Sequence, residues 1–327
     1  MRTVVGVLRG GPSSEYEVSL KSGANVLSAL DANKYEPRDI FIDRAGTWHL
    51  RGAPAQPERA LSGVEVAINV VHGEYGEDGT LQRILDALNV PYTGADALAS
   101  SLAFNKYRTN QEARKLGITV AHSAIVDSSK ITDLHKTALN IFRTMPHPLM
   151  IKPIAGGSSV GITKVDNFDA LEYALGKAFA VSPQAIVEEY IAGREATVGV
   201  IDEFRNEKLY ALMPVEIIPP TSSPFFDYEA KYSGQSIERV PGHFSAEEKH
   251  ALTKAAKAVH LGLGLRHYSR SDFIVSPRGI YFLEVNPAAG IGMTEESLFP
   301  KALQAVGART ADFFDHIIRL AKKPKNV

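Results

Sequence analysis

Cysteine is absent from this 327-residue chain. That excludes disulfides, thiolate metal sites and a cysteine nucleophile, while saying little about compartment. Net charge is also nearly absent: 36 Lys and Arg stand against 37 Asp and Glu, a formal charge of -1. No whole-molecule field draws the chain to nucleic acid or an anionic membrane, so phosphate must be met by local lysines and backbone amides. No apolar run is long enough to span a bilayer, and the opening run TVVGVL carries no charged leader or cleavage signal. A soluble cytoplasmic protein with neither nucleic-acid nor membrane partners is the expectation. The first domain also lacks a GxGxxG, which removes support for dinucleotide binding there.

What is present is ordinary globular material, 44% hydrophobic and 22% charged, at a length that suggests two or three compact units. The first ninety or so residues alternate strand and helix. TVVGVLRGG reads as a buried strand, VSLKSGANVLSAL as a helix and VEVAINVVHG as a second buried strand. This βαβ pattern implies a parallel sheet with ligands at the carboxyl ends of its strands. Two such ends carry polar loops, Gly10-Gly11-Pro12-Ser13-Ser14-Glu15 and His72-Gly73-Glu74-Tyr75-Gly76-Glu77-Asp78-Gly79. By residue type alone, the glycines form turns as readily as sites, and Glu15 or Asp78 could equally cap a helix.

A second unit begins near Ala97. A helix from about Asn105 to Leu116 presents Lys106, and the strand LMIKP presents Lys152 before the glycine- and serine-containing loop Ile154 to Gly161. Close backbone approach, N–H donors and a nearby cation suit a flap over phosphates, though a glycine-rich hairpin would look the same. The lysine precedes the glycines, so this is not a Walker A loop. In AIVEEYIAGREATVGVI, two strands flank a turn at Ala192-Gly193, with Glu188, Glu189 and Glu195 as acceptors for a nucleoside or as edge charges. Near the end, SDFIV and YFLEVN flank the turn SPRG. Paired antiparallel, they set Arg270 and Asp272 opposite Glu284 and Asn286 on one face. Two carboxylates and an amide oxygen suit Mg2+ beside a fixed cation; an exposed charged hairpin is the alternative.

Taken in order, GGPSSEYEVSL, HGEYGEDGTLQ, NKYRTN, IKPIAGGSSVGITK, VEEYIAGREATV, FFDYEAKY, RSDF and EVNPAAGIGMTEESLFP span residues 10 to 300. This set resembles the D-alanine–D-alanine ligases of the ATP-grasp superfamily. The resemblance implies an α/β (α+β) ATP-grasp fold: an N-terminal Rossmann-like parallel-sheet domain over residues 1–96, a small central subdomain over 97–183 and a C-terminal subdomain over 184–327. It implies ATP-dependent joining of two D-alanines through an acyl phosphate for peptidoglycan synthesis, in a cytoplasmic homodimer using ATP and two Mg2+ ions, with Mn2+ as a substitute.

The same resemblance assigns roles. Lys106 and Lys152 would contact the α and β phosphates, Ser158 and Ser159 would cover them, and Lys231 would reach the γ-phosphate. Glu188 and the backbone from Glu189 to Ile191 would meet the adenine, and Glu195 the ribose. Asp272, Glu284 and Asn286 would hold the metals, with Arg270 facing the acyl phosphate and an N–H near Gly292 facing the oxyanion. Glu15 would receive the first D-alanine's ammonium, linked through Ser158 to Tyr232, with His72 nearby; Ser297 and Leu298 would take the second substrate's carboxylate at a helix N-terminus. The segment from about Pro219 to Val240, with Phe225, Phe226, Tyr228 and Tyr232, looks like a lid that keeps water from a hydrolysable intermediate.

The chain departs from the family pattern in three places. Pro287 follows Asn286 with two additional residues before Gly292, Asn105 stands where an aspartate is usual, and Ser271 replaces an aliphatic residue. The longer 287–292 segment is expected to reshape the acceptor pocket without altering the first-substrate site. Two other functions fit the same motifs: a ligase joining D-alanine to D-lactate, D-serine or another amino acid, and a silent nucleotide-binding protein. Retention of Arg270, Asp272, Glu284, Asn286, Lys152 and Lys231 together disfavours the second.

Overall fold

The computed structural model describes residues 2–154, 161–220 and 236–323. The expected strand–helix alternation at the start is present. Strands β1 (Thr3–Gly10), β2 (Tyr35–Ile42), β3 (Trp48–Leu50), β4 (Ala53–Pro54) and β5 (Val66–Asn69) form a sheet in the order β4-β3-β2-β1-β5. β1 runs parallel to both β2 and β5. Its centre, Val5 to Leu8, is buried or nearly so on both faces, which is why it reads as a continuous apolar run. β5 ends sooner than its apolar sequence suggests. Asn69 turns the chain: its side chain accepts the Val71 N–H at 2.9 Å and donates to the Gly76 carbonyl at 2.9 Å, closing the polar loop that follows.

The central unit is a four-stranded antiparallel sheet in the order β6-β9-β7-β8, from β6 (Ser123–Asp127), β7 (Leu149–Pro153), β8 (Thr163–Val165) and β9 (Gln184–Glu189). Helices Leu134–Thr144 and Asp169–Phe179 cover one face and share a core confined to this unit, including Leu149, Ile151, Leu171 and Val187. The third sheet comprises β10 (Arg194–Asp202), β11 (Leu209–Ala211), β12 (Val215–Ile218), β13 (Ile237–Arg239), β14 (Tyr268–Ser276) and β15 (Gly279–Pro287). Its order among the described residues is β13-β12-β10-β14-β15, with β11 also on β10.

The turn at Ala192-Gly193 links two strands as the sequence suggests, but β9 and β10 lie in different sheets. This short crossing joins an inner strand of one sheet to an inner strand of the other. Gly193 is required there: a Cβ would lie 2.5 Å from the Val275 carbonyl oxygen. Helix Ala246–Gly262 packs on the third sheet and starts with a reciprocal capping box between Ser245 and Glu248. Another core joins β1 and β5 to the C-terminal helices, with Val5, Val7 and Ile68 clustered with Phe299, Phe313, Phe314 and Ile317. Burying several aromatic and aliphatic side chains at about 1.5–3 kcal/mol each fixes the first sheet against the end of the chain.

Candidate active site

A cleft of about 300 Å³ opens between the central and third sheets. Lys152 on β7 and Glu188 and Glu189 on β9 line one side; Glu195 on β10, Arg270 and Asp272 on β14 and Glu284 on β15 line the other. Lys106 reaches in from helix Lys106–Lys115, and Ile191 and Leu298 also border the space. Residues scattered over nearly two hundred positions of sequence therefore face one cavity.

The β14–β15 hairpin has the expected register, Asp272 opposite Glu284 and Arg270 opposite Asn286, with a bulge just after Asp272. Arg270 grips Asp272 with both forks, Nε to Oδ1 at 3.1 Å and a terminal nitrogen to Oδ2 at 3.0 Å. The Asn286 amide donates to Asp272 Oδ2 at 3.1 Å, and Thr197 on neighbouring β10 donates its hydroxyl to Oδ1. Lys106 Nζ lies 2.6 Å from Glu284 Oε2. Burial lowers the Lys106 pKa, but attraction to Glu284 and the hydrogen bond between them outweigh it, so the ammonium stays charged. Asn105 caps this helix by accepting the Arg108 N–H at 3.0 Å, the same task an aspartate would perform.

Among the described residues no three His, Asp or Glu side chains converge as a metal site. The donor set is instead two carboxylates and an amide on one hairpin face, with water and substrate phosphate left to complete a shell, which is the chemistry Mg2+ favours. The residues fit the ion.

Lys152 Nζ contacts Glu188 Oε2 at 2.5 Å, and Asn110 donates to Glu188 Oε1 at 3.1 Å. Both oxygens of this buried carboxylate therefore serve to hold Lys152 and the helix bearing Lys106. The Glu189 carboxylate pairs with Arg278 at 2.6 Å, outward along the hairpin turn. The N–H groups of Glu189 and Tyr190 already donate to the His122 and Pro148 carbonyls at 2.9 and 2.8 Å. Ile191 follows them on the cleft lining.

The first unit brings further polar groups near Arg270 and Lys106. Ser13 Oγ donates to the His72 carbonyl at 2.5 Å and accepts the Glu15 N–H at 3.2 Å, tying its two polar loops together. Glu15 sits at the N-terminus of helix Tyr16–Ala29 without using its side chain as a cap, and its carboxylate lies over Gly73. His72 is buried; burial pushes its imidazole below the ordinary value, against a nearby Glu15 that raises it and an Arg270 that lowers it further. Glu77 is buried too and accepts the Gly73 N–H at 2.6 Å. Burial, with Glu15 and Glu284 close by, pushes its carboxyl up to about 8 despite that hydrogen bond and Lys106.

The departure at 287–292 forms a 3-10 turn, Ala288–Gly290, after β15. A Cβ on Gly290 would lie 2.3 Å from the Glu77 carboxylate, and one on Gly94 2.7 Å from the Ala288 methyl. The segment is thus packed directly on residues of the first unit, beside Glu77, whose carboxyl is in electrostatic reach of Glu15. Gly292 lies close to Ser297, whose hydroxyl would be 2.7 Å from an added Cβ. Ser297 precedes helix Leu298–Ala305 and accepts the Thr294 N–H at 3.3 Å.

Ser158, Ser159, Lys231 and Tyr232, with Phe225, Phe226 and Tyr228, lie outside the described residues. Thr197, Asn110 and Glu77 carry no role in the sequence reading yet hold the site together. Asn110 had a signal, since it is four residues from Lys106 and shares its helix face. Thr197 had none, because its partner Asp272 is 75 residues away.

A cleft between two antiparallel sheets, entered by two lysines and closed by an acidic hairpin, defines the ATP-grasp class. The family model described as D-ala D-ala ligase C-terminus matches residues 113–319, and D-ala D-ala ligase N-terminus matches 4–60 and 50–95. A relative named D-alanine--D-alanine ligase from Syntrophobacter fumaroxidans is 36% identical over 321 residues, 98% of each chain. Among solved structures, the VanG D-Ala:D-Ser ligase from Enterococcus faecalis superposes with a TM-score of 0.84 at 30% identity, over 98% of this chain and 100% of that one. The D-alanine-D-alanine ligase from Coxiella burnetii gives 0.81 at 25% identity, over 98% and 94%. The chain belongs to the D-alanine–D-alanine ligase family.

Proposed function

We infer that this protein joins two D-alanine molecules to D-alanyl-D-alanine with consumption of ATP, supplying a precursor of peptidoglycan for the cell wall. The observation that carries the inference is the convergence of Lys106, Lys152, Arg270, Asp272 and Glu284 on one cleft, with His72 of the first unit in electrostatic reach of both Arg270 and Glu15. Near-full-length relatives named for this activity support it. The work is divided among three units, near the expected 1–96, 97–183 and 184–327 but with β9 (Gln184–Glu189) belonging to the central one. The enzyme acts in the cytoplasm as a homodimer; among the described residues no helix is long and apolar enough to cross a membrane.

Glu15 receives the ammonium of the first D-alanine and His72, neutral in its buried setting, packs beside it. The carboxylate oxygen of that substrate attacks the γ-phosphorus of ATP and ADP leaves, so the problem for the protein is charge, and preorganised cations answer it. Lys106 and Lys152 hold the α and β phosphates, Ser158 and Ser159 cover them, and Lys231 meets the γ-phosphate. Glu188 and Glu189 frame the adenine pocket, Ile191 offers its N–H and Glu195 its carboxylate to the ribose. Asp272, Glu284 and Asn286 would hold Mg2+, or Mn2+ in its place, which would neutralise phosphate charge as a Lewis acid.

The second D-alanine, its carboxylate at Ser297 and Leu298, attacks the acyl carbon through its amine. Arg270 and the Gly292 N–H bear the developing oxyanion, and phosphate departs with its bridging oxygen and takes up the proton shed by the attacking amine, with Tyr232 and Ser158 closing the pocket. The assay is ADP release by the purified protein with Mg2+ and ATP, scored with chromatography of the product. Release that depends on D-alanine, with one dipeptide per ADP, is expected. D-serine and D-lactate belong in the panel, because the similar VanG structure is titled a D-Ala:D-Ser ligase. Preference for either as acceptor would favour that second reading, and release without any amino acid would refute both.

A further inference from the structure

We propose that Ser22 and Asn25, on helix Tyr16–Ala29, are positioning residues for the ligation step, gripping the backbone of Met293 and thereby placing the adjoining Gly292 N–H. The proposal rests on the ligase assignment and deepens it. The two side chains are three residues apart and share one helix face. Ser22 Oγ accepts the Met293 N–H at 3.3 Å, and the Asn25 amide donates to the Met293 carbonyl. Both polar groups of that residue are thus taken by a helix more than 260 positions earlier in the chain. Ser22 and Met293 are wholly buried, so no water competes for the bond between them.

Ser22 Oγ also lies 3.2 Å from His72 Nε2. A hydroxyl has one proton and two acceptor sites, so Ser22 can donate to a neutral His72 while accepting from Met293. One side chain then couples the first-substrate wall to the loop that carries the acceptor and oxyanion contacts. With Gly94 against Ala288 and Glu77 against Gly290, the first unit holds the 288–293 segment at three points. The loop needs such fastening, since a mobile Gly292 would leave the acyl phosphate exposed to water before the amine arrives.

The test compares the parent with Ser22→Ala, Asn25→Ala and Asn25→Asp by four readouts: kcat, ADP released per dipeptide, ATP Kd and Tm. Asn25→Asp is nearly isosteric but sets a carboxylate against the Met293 carbonyl, so it should be worse than Asn25→Ala. A misplacement of about 1 Å costs roughly 100-fold in rate, so kcat should fall by about 10- to 100-fold. ADP released per dipeptide should rise above one, with ATP Kd within about twofold of the parent. A merely structural role would lower Tm and leave the ratio at one in the protein that remains folded. Asn25 is only half-buried, so its variants keep the test alive if Ser22→Ala folds poorly. An active parent with Asn25→Asp unchanged in kcat and ratio, or with ATP binding lost in parallel, overturns the proposal. A parent that makes no dipeptide refutes the ligase assignment instead.

Discussion

Replacing Lys152 by Met separates the structural from the functional work of one buried pair. Lys152 and Glu188 meet at 2.5 Å, with side chains 14% and 5% exposed, and Asn110 is the other hydrogen-bond donor to that carboxylate. Removing the lysine alone leaves an uncompensated buried charge, which costs about 3–5 kcal/mol. Adding Glu188→Gln removes that charge while Gln still accepts from Asn110, so most of the lost stability should return. Nucleotide binding should not. A charge-assisted hydrogen bond contributes about 1.5–3 kcal/mol, so both the single and the double variant should bind ATP roughly 10- to 150-fold more weakly. Urea unfolding gives the first quantity and calorimetric titration with ATP and Mg2+ the second. A double variant with parental ATP affinity would show that Lys152 only balances Glu188, and the phosphate assignment would fail.

Glu284→Gln removes a proposed metal ligand and the charged partner of Lys106, so turnover at saturating Mg2+ should fall by about 100-fold or more, on the scale of losing one preorganised charge contact; near-parental turnover would sink the metal assignment. Glu77 is raised from 4.5 to about 8 in the folded protein, so the folded state holds a proton that the unfolded state has lost. Stability should therefore decline as pH rises from about 5 to 8, by at most about 1.4 kcal/mol per pH unit. Melting curves of Glu77→Gln should lack this decline, and its Tm relative to the parent should grow with pH; parallel curves would refute the shift. Shortening the 287–292 segment by two residues removes contacts to Glu77 and Gly94 and should change the Michaelis constants of both amino-acid subsites, with ATP affinity kept. A change confined to the acceptor would bear out the independent-loop expectation.

Much of this was legible in local sequence because local rules govern it. The hairpin register followed from two apolar runs and a turn, and it put Asp272 opposite Glu284 as the pleat requires. Helix Lys106–Lys115 and strand β7 likewise followed from periodicity. What was hidden is long-range. No local signal says that Glu188 anchors Lys152, that β9 and β10 part into different sheets, or that Ser22 and Asn25 reach Met293. Nor does separation along the chain foretell the packing of Gly290 on Glu77.

The central claim is chemical, that the first D-alanine is activated through its own carboxylate, and isotope transfer tests it most directly. With D-alanine labelled by 18O in both carboxylate oxygens, attack on the γ-phosphorus and departure of phosphate move one labelled oxygen from the amino acid to inorganic phosphate. Mass spectrometry of the products should find one 18O in phosphate for each D-alanyl-D-alanine formed. Unlabelled phosphate accompanying dipeptide, or ADP formed with no dipeptide at all, would contradict the account.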